Sequence, residues 1–324
     1  MNKKLIAFFS ILSLSIMLAS SNTGIAANVP STQSKALKEF AKYPTKKLNS
    51  AGLQFHFGPN LDKSFKTFLV KNANSTLAIW ADFYDDKEKF QVFAGSEKDM
   101  DWIIKEWQPY GFDTSFTIAD YQGRIAVQGK EVNAGTVPSL QKKSHLTVIR
   151  GSALASRKNF AIAFIPHETT HIVQQYITNS NTDKLPCWAR EGGADFFGAV
   201  ASTRINKSSY EAWKKQEMYM YKYGNSGLDI KSFNATQWLE QLNSLDGNFA
   251  GGCDFAKKFA YGPGILISEL QVAQKGVPAI VEWWGSLKNG EDWKVSFQRI
   301  YGKEVTEWFK SDAIPYIISE YKRL

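Results

Sequence analysis

The sequence predicts an α+β fold, with a mixed sheet in the first half and mainly helices in the second. Two patterns carry this. Up to about residue 150, short runs of alternating apolar residues are interleaved with helical stretches, whereas from about residue 157 apolar residues recur every three or four positions. At the join stands IPHETTHIVQQY, which places His167 and His171 four residues apart with Glu168 directly after the first.

The elements follow in order. Lys3 and Lys4 precede an apolar run from Leu5 to Ala19, and small residues lead to Ala26 and Ala27. Residues 1–27 therefore read as a secretory signal peptide, too short and wrongly flanked for a stable membrane span. Its removal leaves roughly 297 residues of an exported, soluble protein. Residues 28–50 are polar and read as a loosely held arm. AGLQFHF alternates as a strand does. LDKSFKTFLVKNANSTLAIWADFY carries Phe65, Phe68, Leu69 and Leu77 at helical spacing. EKFQVFAGS is a strand, KDMDWIIKEWQPYG an amphipathic helix stopped by Pro and Gly, and RIAVQGKEV and HLTVIRG further strands.

Helices then dominate: NFAIAFIPHETTHIVQQYI, CWAREGGADFFGAVAST, SYEAWKKQEMYMYKYG, TQWLEQLNS, AYGPGILISELQVAQKG, PAIVEWWGSLKNG, DWKVSFQRIYG and VTEWFKSDAIPYIISEYK. Pro166, just before His167, places the start of the motif helix near Ile165 or kinks it there. The expected division is a lobe over 28–178 ending in the motif helix and a helical lobe over 179–324, with a cleft between them. Trp80, Trp102, Trp283, Trp284, Trp293 and Trp308 lie within these patterns and are expected in packing.

The formal charge of +8 falls to +6 once Lys3 and Lys4 are removed with an acid-free leader. Basic residues are dispersed, which argues against nucleic acid and for a solvated basic surface with a weak attraction to anionic surface polymers. Cys187 and Cys253 are an even pair in an exported chain, and a disulfide between them closes a loop of roughly 66 residues.

The chemistry concentrates around His167. On a helix, positions i and i+4 share a face, so His167 and His171 aim at one ion. Glu168 lies beside that ion, where a general base takes a proton from water. A catalytic site needs a third protein ligand. His56 and His145 lie upstream with no helpful spacing, whereas Glu191 follows His171 by 20 residues, enough for a turn and a second helix. Asp195, one turn after Glu191, is placed to accept from the outer nitrogen of a ligand histidine.

HETTH followed by W-x-x-E-G-x-A-D resembles the gluzincin metallopeptidases, the zincin-like group that includes thermolysin-like and aminopeptidase N-like enzymes. The resemblance covers about residues 160–310. It implies one zinc held by His167, His171 and Glu191, with Glu168 activating water and Asp195 behind a ligand. KKFAYGPGILISEL is similar to the family's Tyr-x-x-Gly segment, which implies that Tyr261 hydrogen-bonds the oxyanion. The family's amine-binding G-A-M-E-N stretch is missing, and no histidine follows His171.

The expected function is a secreted zinc peptidase acting on peptide or protein substrates. The other reading is a non-catalytic cell-surface or cell-wall binding protein with a structural or vestigial zinc site.

Overall fold

A computed structural model describes residues 31–47, 52–84, 90–110, 133–138, 144–150, 158–220, 229–245, 253 and 260–324. The leader, residues 1–27, and the expected strand RIAVQGKEV lie outside them.

Among the described residues the fold is α+β and mostly helical, with one four-stranded sheet. Strand β1 (Leu53–Phe57) runs parallel to β2 (Phe90–Ser96), which runs parallel to β4 (Ser144–Arg150). Strand β3 (Asn133–Pro138) pairs antiparallel with β4 and forms the edge of the order β1-β2-β4-β3. Alternation along β2 sorts the faces. Val92 and Ala94 join the main core, while Phe93 packs with Ile103 and Trp107 of α3 (Met100–Trp107) on the other side.

The main core is built on helices. α2 (Lys63–Ile79) starts at Asp62, whose carboxylate accepts from the Phe65 amide at 2.8 Å. α4 (Lys158–Ile177) and α5 (Cys187–Asn206) form a tightly packed pair, and α5 is covered in turn by α8 (Gly262–Ser286). α8 breaks at Gly276, which has a φ of 80°, and resumes at Pro278, so the two helices expected from the sequence are joined by a kink. The remaining helices are α6 (Tyr210–Met220), α7 (Ala235–Ser244), α9 (Trp293–Tyr301), α10 (Val305–Trp308) and α11 (Ile314–Lys322). No helix of the described residues is long and apolar enough to cross a membrane.

Five of the six expected tryptophans are buried, and Trp102 is half-buried against the small cluster. Trp80 at the C-cap of α2, Phe197 on α5 and Trp284 on α8 meet ring to ring, with centroids 4.8 and 5.7 Å apart along the chain of contacts. These edge-on contacts lock three helices together.

Two expectations are corrected. Ser31–Ala41 is no loose arm but a helix, α1, packed on α8. Ala36 and Phe40 are fully buried, and Arg204 of α5 donates to the Phe40 carbonyl at 2.6 Å and lies over its ring. Three apolar side chains, Ala36, Leu37 and Phe40, suffice because a distant helix supplies the other half of the contact. The motif helix also does not begin at Ile165. It starts at Lys158, with Pro166 inside it. The missing N–H costs roughly 3 kcal/mol, offset here by burial of Ala163, Ile165, Ile172 and Val173. The carbonyls of Ile165 and Pro166 also accept from the hydroxyls of Thr169 and Thr170, at 2.7 and 2.8 Å.

A buried polar knot ties the ends of the fold together. The Lys214 ammonium of α6 donates to Gln33 of α1, to Glu269 of α8 and to Glu320 of α11. Tyr210 and Tyr316 also donate to Glu269. This buried cation is surrounded by acceptors, as its desolvation demands.

Candidate metal centre

α4 delivers His167 and His171 on one face. The chain then reverses through Asn179 and Ser180, whose φ values of 53° and 62° are left-handed. It re-enters the core as α5 beyond Pro186, so Glu191 lies opposite the two histidines.

The donor atoms converge. His167 Nε2 and His171 Nε2 are 3.2 Å apart, and Glu191 Oε2 lies 3.3 Å from His171 Nε2 and 3.8 Å from His167 Nε2. An ion bound tetrahedrally at ~2.1 Å to each donor would space such atoms about 3.4 Å apart. These three residues form a group able to hold a metal ion, buried at His167 and Glu191 and nearly so at His171.

The outer nitrogens show which face of each ring is free for an ion. His167 Nδ1 lies 2.7 Å from Asp195 Oδ1. His171 Nδ1 lies 2.7 Å from Gln174 Oε1. The Gln174 amide nitrogen donates to the Arg190 carbonyl at 3.0 Å, which fixes its oxygen as the acceptor for His171. Both rings therefore carry a proton on Nδ1 and turn an Nε2 lone pair inward. Two lone pairs 3.2 Å apart repel unless a cation or a shared proton lies between them. The residues present thus fit a divalent ion. Arg190 Nε holds the other oxygen of Glu191 at 3.1 Å, leaving Oε2 for the centre.

The electrostatics agree. Burial alone would push His171 down, but the Glu191 carboxylate, with Glu168 and the Gln174 hydrogen bond, lifts it to about 9. His167 is pushed down to about 4 by burial and then by His171. Burial would raise Glu191, yet His171, Arg190 and His167 hold it far below the ordinary carboxylate range. Burial raises Glu168, reinforced by Glu191, in the direction a general base requires. Asp195 is raised strongly by burial and by Glu191.

Close helix contacts set this geometry. A Cβ added to Gly198 would lie 2.6 Å from the His167 nitrogen, and one added to Gly192 only 2.2 Å from the carbonyl carbon of Gly264. α5 therefore touches α4 and α8 backbone to backbone. The second contact brings Tyr261, the residue before α8, to the centre, with its ring 6.4 Å from that of His167 and nearly parallel to it. Cys187 and Cys253 are bonded, which pins the first turn of α5.

His167, Glu168, His171, Glu191, Asp195 and Tyr261 are thus brought together. His56 is not among them: it stacks on Phe93 and bonds Gln91. His145 lies on β4. Sequence reasoning missed Gln174 and Arg190. The signal for Gln174 was its position three residues after His171, on the same helix face. Arg190 precedes Glu191 directly, and no spacing rule marks it.

No protein-family model, curated protein or solved structure matches this chain.

Proposed function

We propose that this chain is an exported zinc metallopeptidase. The observation that carries the reading is the convergence of His167 Nε2, His171 Nε2 and Glu191 Oε2 next to Glu168. Two imidazoles and one carboxylate are a donor set that suits zinc and leaves a fourth position for substrate or water. Zinc bound there supplies Lewis acidity toward a carbonyl oxygen and toward water.

The chain's own residues do the rest. The buried Glu168 carboxylate takes a proton from the attacking water and returns it to the leaving amine. The Tyr261 phenol donates to the oxygen that becomes negative in the transition state. Asp195 and Gln174 hold the two imidazoles in the required tautomer. In this reading the substrate cleft runs between the sheet-bearing part and the helical part. The edge strand β3, which packs beside α4, supports a peptide substrate, because an extended chain can pair along a sheet edge. Among the described residues the outer side of β3 has no strand partner. The Cys187–Cys253 bond supports an exported setting.

The test combines metal analysis with mass-spectrometric profiling of a peptide library, with and without chelator. About one zinc per chain and chelator-sensitive cleavage that disappears in Glu168→Gln are expected. Cleavage that persists in Glu168→Gln would refute the mechanism.

A further inference from the structure

From Cys187 to Ser202, Arg190 alone is not buried. It stands at the metal centre. Its Nε donates to Glu191 Oε1 at 3.1 Å, and the other oxygen of that carboxylate is the one facing His171 Nε2 at 3.3 Å. One carboxylate thus separates the guanidinium from the donor atoms of the centre. The Arg190 side chain is only 18% exposed, and among the described residues its Nη1 and Nη2 have no acceptor. Of the three donor residues, His171 has the most exposed side chain, at 12% against 9% and 10% for His167 and Glu191. Among the three donor residues and Arg190, only His171 and Arg190 are not buried.

An arginine committed through Nε alone keeps its end-on fork. The two remaining N–H groups of that fork run parallel and match both oxygens of a carboxylate. A backbone carbonyl fills only one of them. The fork is held by Glu191, so it is pre-oriented and loses little freedom when it binds.

We propose that Arg190 anchors a substrate carboxylate next to the scissile bond, so that the preferred substrates are peptides with an anionic group there. This rests on the peptidase reading and names its substrate class. Two sources carry that chemistry, the C-terminal carboxylate of a peptide and the side chain of Asp or Glu.

The experiment measures equilibrium binding of short peptides to zinc-loaded Glu168→Gln protein, which removes turnover. One pair of peptides differs only in a free against an amidated C terminus. A second pair, blocked at both ends, differs only in an internal Glu against Gln. A carboxylate preference of roughly 10- to 100-fold in one pair is expected, the range of a charge-assisted hydrogen-bonded contact. Preference in the first pair identifies the terminus, and preference in the second identifies the side chain. Adding Arg190→Gln should erase the preference with zinc content unchanged, whereas a residue that only braces Glu191 would weaken both members of a pair equally. If Arg190→Gln loses zinc, Arg190→Lys decides, since it keeps the cation and removes the fork. A preference lowered at least tenfold in it supports the proposal, and an unchanged one overturns it. Equal affinity within both pairs, or no binding of any peptide, also overturns it. Failure of the wild-type protein to cleave any of the four peptides bears on the peptidase reading alone, because the binding comparison requires no turnover.

Discussion

Gly198 of α5 lies against the backbone of His167 on α4, so closely that a Cβ on it would sit 2.6 Å from the His167 nitrogen and 2.7 Å from its Cα. The position of a candidate ligand is therefore set by the absence of a single methyl group on a neighbouring helix. The same helix meets α8 at Gly192 and Gly264, so α5 is clamped on both sides.

Gly198→Ala should force α4 and α5 apart, at a cost of about 1–3 kcal/mol in unfolding free energy. Affinity for zinc should fall with it, because His167 is the group displaced. Gly285→Ala is the control, since its added Cβ would meet nothing closer than Ile177 at 3.8 Å. A helical glycine with room should gain roughly 0.5–1 kcal/mol on the change to alanine. Denaturant unfolding and chelator competition on both variants check the pair.

Metal binding should be linked to protons with a definite sign. With His171 raised to about 9 and His167 lowered to about 4, the histidine pair of the metal-free centre holds one titrating proton between those limits. An entering ion must displace it. Affinity should thus drop about tenfold for each pH unit below about 9 and steepen below about 4, where His167 also takes a proton. Calorimetry at pH 7 in two buffers of different ionisation enthalpy should report about one proton released per ion. An affinity flat between pH 6 and 8 would show that His171 carries no extra proton in the metal-free protein at those pH values.

Glu168→Gln keeps the size of the side chain and removes the base. Zinc content and unfolding temperature should stay near wild type, while kcat falls by roughly 100- to 10,000-fold. Loss of zinc in this variant would instead assign Glu168 to the ligands.

Tyr261→Phe keeps the ring that lies beside His167 and removes the phenol. A donor to a developing oxyanion is worth roughly 100- to 1000-fold in kcat, with little change in KM. Steady-state kinetics on a good substrate decide it, and an unchanged kcat reduces Tyr261 to a packing residue.

What the sequence revealed depended on whether the information was local. His167, Glu168 and His171 are fixed by one helix period, and Glu191 with Asp195 by another, so both sets could be read directly. β1, β2 and β4 were legible as short runs of strand-forming residues, although β2 is buried on both faces, through Val92 and Ala94 on one and Phe93 on the other. α1 stayed hidden because Ala36, Leu37 and Phe40 acquire meaning only against α8, more than 200 residues later. β3, with the sequence NAGTVP, has the composition of a loop and becomes a strand through pairing with β4. Pro166 misled because its local cost was judged without the burial on both sides of it. Gln174 stands on a readable face, three residues after His171, but the group that fixes its oxygen toward that ring, the Arg190 carbonyl, comes from another helix.

The knot around Lys214 sets a limit on how far the chain can be shortened. Its ammonium draws one acceptor from Gln33, near the start of the described chain, and another from Glu320, near the end. A protease trimming residues before Gln33 removes nothing that the cation uses. Loss of a terminal piece that carries Gln33 or Glu320 strips an acceptor from a buried charge, and the remaining fold must then expel or neutralise it. Limited digestion should therefore leave a resistant fragment with both of these residues inside its boundaries.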